Sequence, residues 1–210
     1  VPASYVDWIA QTGAVPVLVP YDTPKARLDK ILANIQGFIF PGGTSYLYMD
    51  GKPTEFMETI SYIIEYSKKL KDEQNKDFPI MGICLGFQAL LVHFSDIEVI
   101  SKDFKDEKKM HSVVTNEALM AQTKYFSKLS RSQRDYVFNN GFAYFSHDKG
   151  LREDTITKDP YTKLRDKEFF ILGMSSNGTT YETGTKFVAL IEHRKYPFIG
   201  TQYHEEKFQF

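Results

Sequence analysis

The hydrophobic pattern changes character along the chain, and each change predicts an element. Residues 4–11 (SYVDWIAQ) carry apolar positions at helical spacing, with Gly13 as the stop. Residues 15–19 (VPVLV) form a continuous apolar run, which predicts a short buried strand. Pro24 then opens a second helix with Leu28, Ile31, Leu32 and Ile35 on one face. Residues 37–40 (GFIF) read as a strand broken at Pro41-Gly42-Gly43. Residues 53–70 read as a long amphipathic helix, with Phe56, Ile60, Ile63, Ile64 and Leu70 in one stripe. The apolar run 78–83 (FPIMGI) predicts another strand, and helical periodicity resumes over 85–94.

Strands alternating with helices imply βαβ units and a parallel sheet covered on both faces. In the second half, 169–174 (FFILGM), 186–192 (KFVALIE) and 198–203 (FIGTQY) read as strands joined by Gly- and Asn-containing turns without helices, which predicts antiparallel pairing. There is no repeat or linker, so residues 1–210 read as one α/β domain.

Composition excludes several function classes. Hydrophobic residues make up 42% and charged residues 25%, and aromatics reach 15%, so the chain can bury large rings and form an ordered core. A formal net charge of -1 gives no basic field for nucleic acid or anionic lipid. The mixed-sign run 102–109 (KDFKDEKK) reads as a solvated loop. No apolar run approaches the ~20 residues of a membrane span. Asn177-Gly178-Thr179 is a sequon, relevant only in a secretory compartment. The single cysteine, Cys84, excludes an internal disulfide and thiolate metal clusters, and no histidine pair has helical metal-site spacing. No metal or organic cofactor is expected.

That cysteine lies in Pro79-Ile80-Met81-Gly82-Ile83-Cys84-Leu85-Gly86-Phe87-Gln88, a strand, a Gly-x-Cys-x-Gly turn and a helix. This is a nucleophile elbow with sulfur in place of a hydroxyl. Such a turn strains the nucleophile's backbone and leaves no room for side chains two residues away, which Gly82 and Gly86 accommodate. The helix starting at Leu85 aims its N–H groups and positive end at the sulfur, favouring thiolate, and places the Leu85 N–H to bind an oxyanion. A buried core cysteine is the ordinary alternative, but the position between strand and helix favours chemistry.

A thiol nucleophile needs a base and an orienter for it. Of the five histidines, His204 follows the last strand in Gly200-Thr201-Gln202-Tyr203-His204-Glu205-Glu206-Lys207. In an extended segment Glu206 would face the same side as His204 and Glu205 the opposite one. The expected set is therefore Cys84, His204 and Glu206. Glu192 would face away from the adjacent His193, and His93 sits on the helix after the elbow with a structural role. The Phe40-Pro41-Gly42-Gly43-Thr44 loop lets backbone approach a ligand and can offer a second oxyanion N–H from Gly43, beside that of Leu85.

These stretches, with Ala3-Ser4-Tyr5-Val6 and Gly13-Ala14, resemble the class I glutamine amidotransferase superfamily and, within it, the γ-glutamyl hydrolases. The resemblance runs from near residue 1 to the C-terminus, and residues 100–135 carry little of it. It implies a three-layer α/β/α sandwich with a mainly parallel, flavodoxin-like central sheet and antiparallel strands toward the C-terminal half. It implies a small-molecule γ-glutamyl substrate, folate poly-γ-glutamates in most of the family, cleaved through a cysteine thioester. It also implies a lysosomal, vacuolar or secreted setting. Gly42, Gln88 and His147 are the implied substrate-binding positions, His147 by its place in a loop between elbow and C-terminal strands.

This chain has Glu205 where the family usually has proline, and Gln88 where it has glutamate. It starts at the first helix where the family starts with a strand, so an upstream segment is expected in the native polypeptide. A glutaminase working with a partner synthase and a catalytically silent binding relative are the competing readings, and a homodimer is among the assemblies left open.

Overall fold

The computed structural model describes residues 1–102, 104, 106–138 and 141–207. Helix α1 (Ala3–Gln11) ends at Thr12, and Gly13 follows with φ +83°. Helix α2 (Lys25–Leu32) starts behind Pro24 and buries Leu28 and Leu32. It stops at Leu32, so Ile35 of the expected stripe lies beyond it and only packs against the core. Strand β1 (Phe38–Phe40) leads through a small hairpin, β2 (Tyr48–Met49) and β3 (Lys52–Pro53), to helix α3 (Glu55–Gln74). The Thr54 side chain caps α3 by accepting the Met57 N–H at 3.4 Å, and Asn75 ends it in the left-handed conformation. Strand β4 (Ile80–Ile83) and helix α4 (Leu85–His93) complete the first half.

The second half holds β5 (Asp106–His111), β6 (Val114–Thr115), α5 (Glu117–Met120), α6 (Arg131–Phe138), β7 (Ala143–His147), β8 (Phe169–Ser176), β9 (Lys186–His193) and β10 (Phe198–Thr201). The main sheet runs β1-β4-β10-β9-β8-β6, and β5 pairs with β7 separately. Pairing is parallel across β1, β4 and β10 and antiparallel from β10 to β6. The sheet is therefore mixed, with an antiparallel part at least as large as the parallel one.

Side-chain alternation explains the layers. Phe38, Phe40 and Ile80 point to one face and pack with buried residues of α2, α3 and α4. Ile39, Met81 and Ile83 point to the other and meet Tyr5 and Trp8 of α1. A second apolar cluster joins Phe145 of β7 to Leu172 of β8 and to Phe187 and Ala189 of β9.

Three sequence expectations are corrected. Residues 15–19 form no strand, and Val15, Val17 and Leu18 are 87%, 54% and 62% exposed. None of the named strands pairs with this run, β1 stands at the edge of the sheet, and Pro16 has no N–H to give a ladder. The run 102–109 is no loop at its end, because β5 begins at Asp106; positions 103 and 105 lie outside the described residues. His147 is not in a loop but closes β7.

Candidate active site

Strand β4 runs into α4 with a single residue between them, Cys84. Its φ of +51° and ψ of -102° lie where residues with side chains seldom go, at a cost of about 1–3 kcal/mol. Hydrogen bonds hold it there. The Cys84 N–H donates to the Thr201 carbonyl at 2.8 Å, and the Cys84 carbonyl accepts the Gln88 N–H at 3.0 Å as α4 begins. The corner is tight. A Cβ on Gly82 would stand 2.6 Å from the Gly86 carbonyl oxygen, and one on Gly86 would run into the carbonyl of Phe40. The Cys84 side chain is 5% exposed, with its sulfur 3.9 Å from the Ser146 carbonyl.

His204 arrives from the strand beside β4. After β10 the chain turns, and the His204 N–H donates to the Tyr144 carbonyl at 2.9 Å. Its Nδ1 lies 2.7 Å from Glu206 Oε1, and the ring stands beside the Cys84 side chain, each within 3.2 Å of where a Cβ on Gly42 would sit. Nδ1–H is thus spent on the carboxylate, leaving Nε2 for the sulfur. Burial pulls the His204 pKa down, but the hydrogen bonds and charges of Cys84 and Glu206 outweigh it and hold the ring up at about 9. The imidazole is a cation through neutral pH.

The structure brings Glu206 to the ring, but not by the expected geometry. Glu206 reaches the ring from a single 3-10 turn, Glu205–Lys207, rather than by alternation in an extended segment. Glu205 turns elsewhere, accepting the Thr201 hydroxyl at 3.0 Å. Burial pushes its carboxyl up to about 8, helped by the nearby Glu206 charge.

The Pro41-Gly42-Gly43 loop closes the third side. A Cβ on Gly42 would stand 2.7 Å from His204 Cε1 and 3.2 Å from Cys84 Cβ, so glycine is what allows the loop between those side chains. Gly43 lies against Leu85. The Gly42 N–H donates to the Tyr5 hydroxyl at 2.7 Å. Tyr5 is 3% exposed and escapes sequence reasoning as a site residue, its only signal there being membership of the Ala3-Ser4-Tyr5-Val6 stretch.

Gln88 and His147 lie behind the sulfur. The Gln88 amide donates to the Lys149 carbonyl at 2.8 Å and to Gln202 Oε1 at 3.2 Å. His147 Nδ1 is 2.9 Å from the same Lys149 carbonyl, and its ring packs 4.9 Å from that of Phe187. Both side chains are buried. Their contribution to the site's shape comes through the 146–149 segment, which carries the Ser146 carbonyl beside the thiol.

The other histidines are engaged elsewhere. His193 Nδ1 accepts the N–H groups of Lys195 and Tyr196, and burial with nearby lysines lowers its pKa to about 3. His93 bonds Ser61 and Glu65. Among the described residues no cluster of three or more His, Cys, Asp or Glu side chains is grouped to hold a metal ion.

A sulfur on a strained strand–helix corner, beside a carboxylate-held imidazole, is an arrangement suited to a thiol nucleophile. The model of the family described as glutamine amidotransferase class-I matches residues 3–209. The chain belongs to that family. Among curated members, it is 28% identical to the γ-glutamyl hydrolase of Mus musculus over 99% of this chain and 61% of that protein. It is 26% identical to γ-glutamyl hydrolase B of Dictyostelium discoideum, over 98% and 56% respectively. The chain thus spans about three fifths of the length of these relatives. Among solved structures, a GMP synthase component from Thermoplasma acidophilum superposes with a TM-score of 0.61 at 17% identity, covering 98% of this chain and 78% of that one. A glutamine amidotransferase from Thermotoga maritima gives 0.50 at 18%, covering 95% and 68%. At these identities the structural likeness establishes the shared amidotransferase fold.

Proposed function

We propose that this chain hydrolyses γ-glutamyl bonds through a cysteine thioester. The reading rests on one observation: Cys84 sits at a positive-φ corner with the His204 ring beside it and Glu206 2.7 Å from that ring's Nδ1. The similarity to proteins named γ-glutamyl hydrolase, over nearly all of this chain and about three fifths of theirs, supports the choice of bond.

In the proposed reaction the Cys84 sulfur adds to the γ-carbonyl carbon of a glutamyl residue, and the carbonyl oxygen becomes an oxyanion. The N–H groups of Leu85 and Gly43 hold that oxyanion. His204, protonated at rest, gives its proton to the leaving amine as the C–N bond breaks. Water then attacks the thioester, His204 takes its proton, and the Cys84 thiolate leaves with the acid released. Glu206 keeps the ring in one tautomer and orientation throughout. One oxyanion donor is worth roughly 10²–10³ in rate, so the Gly43 loop matters as much as the base.

Gln88, the residue that brought the glutaminases into consideration, has its amide bonded to Lys149 and Gln202 behind the nucleophile. The deciding experiment incubates a pteroyl-poly-γ-glutamate with wild-type and Cys84→Ala protein and follows products by mass spectrometry. Shortened glutamyl chains from wild type alone support the reading. Faster turnover of free glutamine than of any γ-glutamyl peptide replaces it with a glutaminase.

A further inference from the structure

We propose that Tyr5 is a positioning residue that sets the Gly42–Gly43 loop as the second wall of the oxyanion site. It extends the reading of Cys84 as nucleophile, on which it rests, to a residue far upstream in the chain. The Tyr5 ring packs in a small apolar cluster with Ile83 and Cys84, so α1 is seated directly against the elbow. Its hydroxyl accepts the Gly42 N–H at 2.7 Å. The same oxygen would lie 2.9 Å from a Cβ on Gly42, beside His204 Cε1 and Cys84 Cβ.

The hydroxyl has one proton and two lone pairs. Burial raises the Tyr5 pKa far above the usual phenol value, and the charge of nearby Glu206 adds to the rise. Tyr5 therefore stays protonated, with its proton drawn toward the carboxylate and its lone pairs left for Gly42. Among the described residues Glu206 Oε2 meets no hydrogen-bond partner within normal distance, so that oxygen is open to the attraction. The consequence for the loop is simple. The Gly42 N–H is committed to Tyr5 and cannot turn toward a substrate oxygen. The next amide, that of Gly43 lying against Leu85, becomes the loop's donor for the oxyanion.

Tyr5 should therefore matter for attack on a carbonyl and not for attack on a saturated carbon. Two reagents separate these. Acylation of Cys84 by p-nitrophenyl acetate builds an oxyanion, and its single-turnover release of p-nitrophenolate is read against Cys84→Ala as blank. Alkylation of Cys84 by iodoacetamide displaces iodide at a saturated carbon and builds none. In Tyr5→Phe, which keeps the ring, acylation should fall about tenfold, less than the loss of a whole oxyanion donor, while alkylation stays within about twofold of wild type. Trp8→Phe, which perturbs α1 packing without touching the loop, should change neither rate.

Unchanged acylation in Tyr5→Phe overturns the proposal. So does a parallel fall of both rates, which would mean a general effect on the sulfur. A wild-type chain that alkylates no faster than a free peptide thiol and does not acylate sinks the nucleophile reading itself. Discriminating rates in wild type without γ-glutamyl hydrolysis would sink only the substrate assignment. Should Tyr5→Phe fail to fold, amide exchange in the wild-type chain carries the test. The Gly42 N–H should exchange at least about tenfold more slowly than the Gly43 N–H, and equal exchange overturns the proposal.

Discussion

The Cys84 N–H donates to the carbonyl oxygen of Thr201, 2.8 Å away, across the parallel junction of β4 and β10. This one bond ties the elbow to the strand that delivers His204 three residues later. The Thr201 hydroxyl meanwhile bonds Glu205, so a single residue braces the backbone under the sulfur and the turn that carries the imidazole. The relation between the two halves of the site is thus fixed by sheet pairing and not by flexible loops.

The strain at Cys84 should be measurable. Glycine adopts φ +51° freely and alanine does not, so Cys84→Gly should be more stable than Cys84→Ala by about 1 kcal/mol, the reverse of the order in a regular helix. Urea unfolding of the two inactive variants checks this, and equal midpoints would mean the corner is relaxed.

Gly86→Ala tests the closeness of the elbow to β1. The added methyl meets the Phe40 backbone carbonyl, which cannot rotate away as a side chain could. A loss of about 3 kcal/mol, with hydrolysis falling in step, is expected from such overpacking. A variant with wild-type melting and activity would show that the strand and helix do not pack this closely.

Glu206→Gln should leave the fold intact and lower kcat by roughly 10²-fold or more, because an amide neither fixes the ring tautomer nor stabilises its charge. It should also move the His204 titration down from about 9 toward its ordinary value of 6.5, since the burial that opposes the charge remains. An NMR titration of the ring reads this directly, and an unmoved pKa would mean that Glu206 does not support the cation.

Glu205 gives a stability signature with a defined sign. Its folded pKa, about 8, exceeds its ordinary 4.5, so the folded state holds more protons between those values. Its contribution is complete below about pH 4.5 and is lost as pH rises through 8. His204, raised from 6.5 to about 9, loses its own contribution over a higher window. Glu205→Gln can still accept from Thr201 but cannot ionise. Its stability relative to wild type should grow between about pH 5 and pH 8 by about 1 kcal/mol or more, the worth of one pKa unit. A flat difference in chemical denaturation across that range would show that Glu205 titrates normally.

Much of this molecule is written locally, and that part is legible. Helix α3 follows from its stripe of Ile60, Ile63 and Ile64; periodicity predicts α4 as well, but its residues Leu85 to Val92 are buried on every side. Residues 15–19 mislead for a related reason: an apolar run reports a tendency to extend, while a strand also needs a neighbour to bond, and none of the named strands pairs with it. Helix α6 (RSQRDYVF) escapes notice because it buries only Phe138 and shows a weak apolar stripe.

By itself the sequence determined the elbow. Gly82, Cys84 and Gly86 encode a steric requirement within one short turn, and a requirement that local can be read without knowing the rest of the chain. Tertiary structure alone decided what surrounds the sulfur: the Tyr5 hydroxyl on Gly42, the Tyr144 carbonyl on the His204 N–H, and the 3-10 turn, in place of an extended segment, by which Glu206 meets the ring. The first two join segments tens of residues apart, and no periodicity records any of the three. They exist because a buried polar group must find a partner, and the packed sheet determines which one is within reach.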